Sequence, residues 1–204
     1  MNKMKTGLVI AAFALLAPVA QAASFTNGSF EVPTFSGTFQ TIDAGSTALT
    51  GWDVVSGSVD LINTYWTPFH GAYSIDLNGN GVGSIQQTFD TVANQTYTVT
   101  FAMAGNTDGG GNKIITAGVT SGDAYTFNIT GHTHASMGWE TRSFSFVAEG
   151  ASSTLYFSGY AGNGPYGAAL DNVTVSAVPE PETYGMLLAG LGLVGYMARR
   201  KKSA

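Results

Sequence analysis

Two short stretches hold the side chains best suited to gripping a sugar ring. They are Asn63-Thr64-Tyr65-Trp66-Thr67-Pro68-Phe69-His70 and Tyr160-Ala161-Gly162-Asn163-Gly164-Pro165-Tyr166. A pyranose presents an apolar C–H face and a rim of hydroxyls, so its site needs an exposed aromatic platform beside amide, carboxylate or imidazole groups. Tyr65, Trp66, Tyr160 and Tyr166 are the candidates for that contact. The competing reading packs Trp66 and Phe69 over an edge of the core, where large aromatics are usually found. Trp52 and Trp139 are assigned to the core outright.

Other constellations carry less. His132-Thr133-His134 has a spacing zinc can use, yet no third ligand stands out nearby, and a polar loop is the expectation. Residues 105–112 are rich in Gly, Asn and Asp but lack the later bidentate acid of an EF-hand loop and any nonapeptide repeat. A hairpin or sheet-crossing loop explains them. Glycoside hydrolysis needs two carboxyls across a cleft, and no spacing singles out such a pair. Nucleophile elbows, His-Glu-x-x-His helices and phosphate loops are also missing from the sequence. A non-catalytic protein is expected.

Composition narrows the class. The 204 residues are 44% hydrophobic and only 10% charged, with 27 Gly and no Cys. That length suits one domain plus addressing segments. The missing cysteine excludes a disulfide scaffold, thiol catalysis and zinc–thiolate sites. From Glu31 to Asp171 eleven acidic residues face only Lys113 and Arg142, a formal charge of −9. Such a body cannot neutralise a row of phosphates, so nucleic acid is not a partner.

The cations cluster at the ends instead. Lys3 and Lys5, the apolar run 7–17 and Ala20-Gln21-Ala22 make a secretory signal over 1–22, cleaved after Ala22. At the other end, Pro179-Glu180-Pro181 precedes an apolar run that predicts a transmembrane helix over about 184–198. Arg199, Arg200, Lys201 and Lys202 follow and would hold that end in the cytoplasm. This three-part tail, residues 178–204, resembles the PEP-CTERM sorting signal. The resemblance implies an exosortase-type processing enzyme, transient anchoring in the inner membrane, and passage to the cell surface or extracellular matrix. The alternative is a simple anchor that stays in place.

Between the ends, 23–177 read as one all-β domain. Tyr97, Val99, Phe101 and Met103 fall on one face at period two, as do Phe144 and Phe146, and Val173 and Val175. Further strands are expected at 52–55, 58–62, 73–77, 83–89, 113–119, 124–129 and 153–158, punctuated by Gly, Asn, Asp and Ser. Many short strands at this spacing indicate a sandwich or barrel.

The middle also carries a second resemblance. Asn27-Gly28-Ser29-Phe30-Glu31, Gly51-Trp52-Asp53-Val54, Ser58-Val59-Asp60-Leu61-Ile62, Ser74-Ile75-Asp76-Leu77-Asn78-Gly79 and Ala169-Leu170-Asp171-Asn172-Val173 resemble the choice-of-anchor C family. That family is similar to plant cell-wall proteins of the galactose-binding-like class. The resemblance implies a two-sheet jelly-roll sandwich, flanked here by the signal helix and the tail helix, that binds or sits among polysaccharides. It also implies a structural calcium between the first and last strands, held by Glu31 and Asp171 with a backbone carbonyl near Asn27. Otherwise these two carboxylates cap turns or accept backbone N–H bonds. The function expected is a non-catalytic surface or matrix protein associated with exopolysaccharide or cell-surface glycans. A structural or adhesive protein without a sugar site is the alternative, and a small polysaccharide-active enzyme a more distant one.

Overall fold

A computed structural model describes residues 24–179, together with 189–191 and 193. The signal segment 1–22 and most of the expected helix 184–198 lie outside the described residues. Residues 189–191 and 193 are helical. Among the described residues no helix is long and apolar enough to cross a membrane.

Eleven strands form the domain: β1 (Phe39–Asp43), β2 (Asp53–Ser56), β3 (Ser58–Ile62), β4 (Ser74–Asp76), β5 (Ser84–Asp90), β6 (Thr96–Gly105), β7 (Asn112–Gly118), β8 (Gly122–Asn128), β9 (Glu140–Val147), β10 (Ser152–Ser158) and β11 (Ala168–Ala177). They make a six-stranded sheet, β1-β3-β4-β11-β6-β9, and a five-stranded sheet, β2-β5-β10-β7-β8. Every pairing is antiparallel.

The pairings nest. β7 pairs with β8, β6 with β9, β5 with β10 and β4 with β11, alternately in one sheet and the other. A long antiparallel ribbon folded at the β7–β8 turn and wrapped around a core produces that pattern, which is a jelly roll. The alternation expected from the sequence supplies the core. Leu61, Ile75, Leu170 and Met103 are successive partners across β3, β4, β11 and β6, and all four are buried. Phe101 of β6 meets Tyr125 of β8 and Phe157 of β10 edge to face, each at a centroid distance of 5.2 Å, and so ties the two sheets.

Residues 24–38 form no strand, yet they close the sandwich. Gly28 accepts a hydrogen bond from the Val173 N–H at 2.8 Å. A Cβ on Gly28 would fall 1.9 Å from the Val173 carbonyl oxygen, so this approach requires glycine. The Asn27 amide bonds both the Val32 and Thr50 carbonyls, and the Asn27 carbonyl accepts from the Trp52 indole at 3.1 Å. Trp52 lies in the core as expected. Trp139 packs against the core from its edge: it is half-buried, with its indole donating to the Thr67 carbonyl and its ring against Phe69.

Candidate functional site

Because side chains alternate along a strand, β1, β3 and β4 send one set into the core and the other to the outer face of the six-stranded sheet. Thr41, Asp60 and Asp76 are direct cross-strand partners in that outer set. Loops rise around them and enclose a cleft of about 230 Å³. Phe39, Tyr65 and Tyr166 give its aromatic wall, while Asp60, Asn80 and Asn106 line it with carboxylate and amide groups.

Asp76 holds the surrounding loops together. Its Oδ1 accepts from the Asn78 and Gly167 N–H groups, both at 3.0 Å, and its Oδ2 from the Asn106 side-chain amide at 2.9 Å. The residue is only 1% exposed, and burial pushes its carboxyl up to about 7 against the pull of those three donors. Asp60 adds a smaller upward push. Asn106 extends the network, donating its backbone N–H to Gly167 and accepting from the Asp108 N–H.

Tyr166 is placed from behind. The 3₁₀ turn Ala161–Asn163 lies against β7, where Asn163 accepts from the Ile114 N–H and donates to the Asn112 carbonyl. Lys113, fully buried, donates its amine to the Tyr166 carbonyl at 2.6 Å. Burial pulls that amine below its ordinary value, while Asp76 and Asp108 oppose the shift. Tyr65 is fixed from the other side by its hydroxyl bond to Asp108. That bond, more than burial, pushes the phenol up to about 12. His134 flanks the Tyr65 ring at 4.7 Å, with Nε2 3.2 Å from Asp108.

The expected sugar-contact residues therefore separate. Tyr65 and Tyr166 meet in the cleft, and Tyr166 is 42% exposed. Trp66 is 3% exposed and donates its indole N–H to the Ser74 hydroxyl, the core placement of the competing reading, although it also lines a separate open hollow with Asn63, Tyr65 and His134. Tyr160 is 48% exposed but does not line the cleft. The loop 105–112, read from sequence as a plain connection, brings Asn106 and Asp108 into the site. Phe39, Asp60, Asp76 and Asn80 were not singled out as site residues. The repeated Ser-x-Asp of β3 and β4 is the signal for Asp60 and Asp76; Phe39 and Asn80 have none. A hollow of about 410 Å³ beside Phe25, Phe89 and Tyr97 is larger, but its wall has one carboxylate, Asp90, and no side-chain amide.

The proposed calcium ligands are engaged otherwise. Glu31 accepts from the Ala72 and Tyr73 N–H groups at 3.0–3.1 Å. Asp171 accepts from Phe69, His70 and Asn172 N–H groups. Burial pushes its carboxyl up to about 6, and nearby Glu31 adds to that direction. Calcium requires six or more oxygen ligands. Here the carboxylate oxygens face N–H donors, and among the described residues no group of three acidic or His side chains could hold a metal. As arranged, the residues do not fit calcium.

Residues 23–176 match the family described as "Protein of unknown function (DUF642)". The chain belongs to the DUF642 family. Residues 177–202 match the PEP-CTERM protein-sorting motif, which marks a secreted protein with a C-terminal sorting signal. Pro179, Glu180 and Pro181 and the four terminal cations fall within that match. The DUF642 chain is 35% identical over 161 residues to halomucin of Haloquadratum walsbyi, a similarity spanning 76% of the chain but only 2% of that protein. Among solved structures it is similar to an arabinose-bound GH51 α-L-arabinofuranosidase, with TM-score 0.50 and 12% identity over 76% of this chain and 26% of the other. It is also similar to the carbohydrate-binding module TmCBM61 in complex with β-1,4-galactotriose, with TM-score 0.46, 15% identity, and coverage of 76% and 99%.

Between about pH 4 and 7 the folded protein keeps a proton on Asp76 that the unfolded chain releases, so stability falls as pH rises through that window. Asp171 adds to the fall between about pH 4 and 6. Calorimetry should give a higher melting temperature at pH 5 than at pH 8, with a shallower slope for Asp76→Asn; a flat profile in the wild type would contradict the assignment. Asp171→Ala strands three N–H donors and should cost about 2–4 kcal/mol in urea unfolding. Chelation with EGTA should leave the wild-type melting temperature unmoved. A chelator-dependent drop that Asp171→Ala abolishes would restore the calcium.

Proposed function

We propose that this DUF642 protein is a non-catalytic, exported carbohydrate-binding protein of the cell surface or extracellular matrix, associated with exopolysaccharide. The observation that carries the reading is the cleft itself. Tyr65 and Tyr166 line it beside the carboxylate of Asp60 and the amides of Asn80 and Asn106. Aromatic faces stack on C–H surfaces while fixed polar groups select hydroxyls. The sorting tail supports delivery to a glycan-rich surroundings, with an exosortase as its processing enzyme and the inner membrane as a transient station.

The carboxylates support binding over turnover. Glycosidases set their two carboxyls about 5–9.5 Å apart on either side of the scissile bond. Asp76, though it lines the cleft beside Asp60, is 1% exposed and has both oxygens taken by three donors, so it is not open to act on a glycosidic bond.

Binding to the producer's own extracellular polymer should weaken about tenfold in Tyr166→Ala, since an aromatic contact is worth on the order of 0.5–1.5 kcal/mol beyond its buried area. Trp66→Ala should lower stability while the folded fraction still binds. Failure of the wild type to bind any polymer favours the purely structural or adhesive reading. For the tail, mass spectrometry of the secreted form should show an N-terminus at Ala23 and a C-terminus near Pro179–Pro181. Intact Arg199–Lys202 on the surface form would remove processing from the proposal.

A further inference from the structure

The cleft is charged on one side of the ledger only. Asp60 is half-buried and gives Oδ1 to the Thr41 hydroxyl at 2.6 Å, while Oδ2 accepts no hydrogen bond among the described residues. Asp76 sits directly across the strand pair from it, and Asp108 stands behind Tyr65. Two cations exist between Glu31 and Asp171, and neither reaches the cleft. Lys113 is fully buried with its amine on the Tyr166 carbonyl. Arg142 lies on β9, the opposite edge of the sheet from β1, bonded to Glu140 and to the Thr126 carbonyl.

We propose that the cleft takes an uncharged sugar residue, with adjacent hydroxyls donating to Asp60 Oδ2 and to the side-chain carbonyl of Asn80, and that it rejects uronate- and sulfate-bearing glycans. This rests on the sugar-binding reading and names its ligand class. Hydroxyls are donors, which is what a lone carboxylate oxygen lacks here. An incoming carboxylate or sulfate brings only acceptors and a like charge against Asp60. It would find no guanidinium or ammonium to pair with. The volume of about 230 Å³, below the usual span of drug-sized pockets, suits one ring with its flanks on Phe39 and Tyr166. Those two rings are 46% and 42% exposed.

The test uses matched pairs that differ only in the C6 group: galactose against galacturonate oligosaccharides, and glucose against glucuronate, of equal length and linkage. They are titrated calorimetrically into the full chain in mild detergent at low salt. At least one neutral member should bind at least tenfold more tightly than its uronate partner. Asp60→Asn, nearly isosteric, should narrow that gap to about threefold or less, and added salt should narrow it in the wild type by screening. Asn80→Ala should weaken the neutral ligand without narrowing the gap. Equal or tighter uronate binding that Tyr166→Ala still weakens would overturn the selectivity and leave the sugar site standing. Binding of no member of either pair, together with no binding to the native polymer, would overturn the sugar site and this inference with it.

Discussion

A single buried carboxylate organises the cleft end of this sandwich. Asp76 ends a three-residue strand in the middle of the larger sheet, and its oxygens collect donors from its own turn, from the loop after β6 and from the residue before β11. Those segments are distant in sequence and share no apolar core of their own. Without the shared acceptor, three buried donors would lose their partner, each at a cost of about 1–3 kcal/mol. The carboxylate therefore converts loops that could wander into walls with fixed spacing. Its cost is desolvation of a group with little opposite charge nearby, which is why its proton affinity rises so far.

The wrapped-ribbon topology explains why such a device is needed. Pairing β4 with β11 joins residues far apart in sequence, and the loops at that end connect strands in opposite sheets. Sheet hydrogen bonds stop where the strands diverge. Side-chain amides take over: Asn27 near the chain start, Asn78 toward the Tyr160 and Gly164 carbonyls, Asn106 under the cleft and Asn163 against β7. Amides can donate and accept at once without a charge to bury, so they satisfy loop backbone more cheaply than Lys or Arg would. The low charge content of the chain and its abundance of Asn and Gly are two sides of that solution.

How far the sequence disclosed this depends on which interactions are local. Alternation located β3 at its observed bounds and most other strands within two residues, because inward positions there are Val, Ile, Leu and Phe. β1 was not anticipated. It is an edge strand whose one buried residue is Ile42, and its Phe39 faces the cleft, so period-two hydrophobicity is weak there. Likewise Tyr65 and Tyr166 could be nominated from their loops, but Trp66, one residue along, turns inward to Ser74. Adjacent residues in a loop share composition and not direction. The Asp60–Asp76 pairing is a matter of register between strands, which no local pattern encodes.

That register is the least economical feature of the fold, and so the most informative. Like charges directly opposite each other on adjacent strands destabilise a sheet. A Thr, Ser or Asn at position 60 would keep the alternation and remove the repulsion. The same cleft is lined by an exposed Phe39 on β1 and an exposed Tyr166 in the loop before β11, both of which would gain from burial. Each local departure lies on the wall of one cleft, while the opposite face of the same strands is close-packed and apolar. Sites where local rules fail together, in a chain that otherwise obeys them, are where binding is expected to have set the residues. Stability alone would have chosen a different surface, and that is the ground on which a hydroxyl-rich ligand is proposed for the unpaired Asp60 oxygen and the bare aromatic rings.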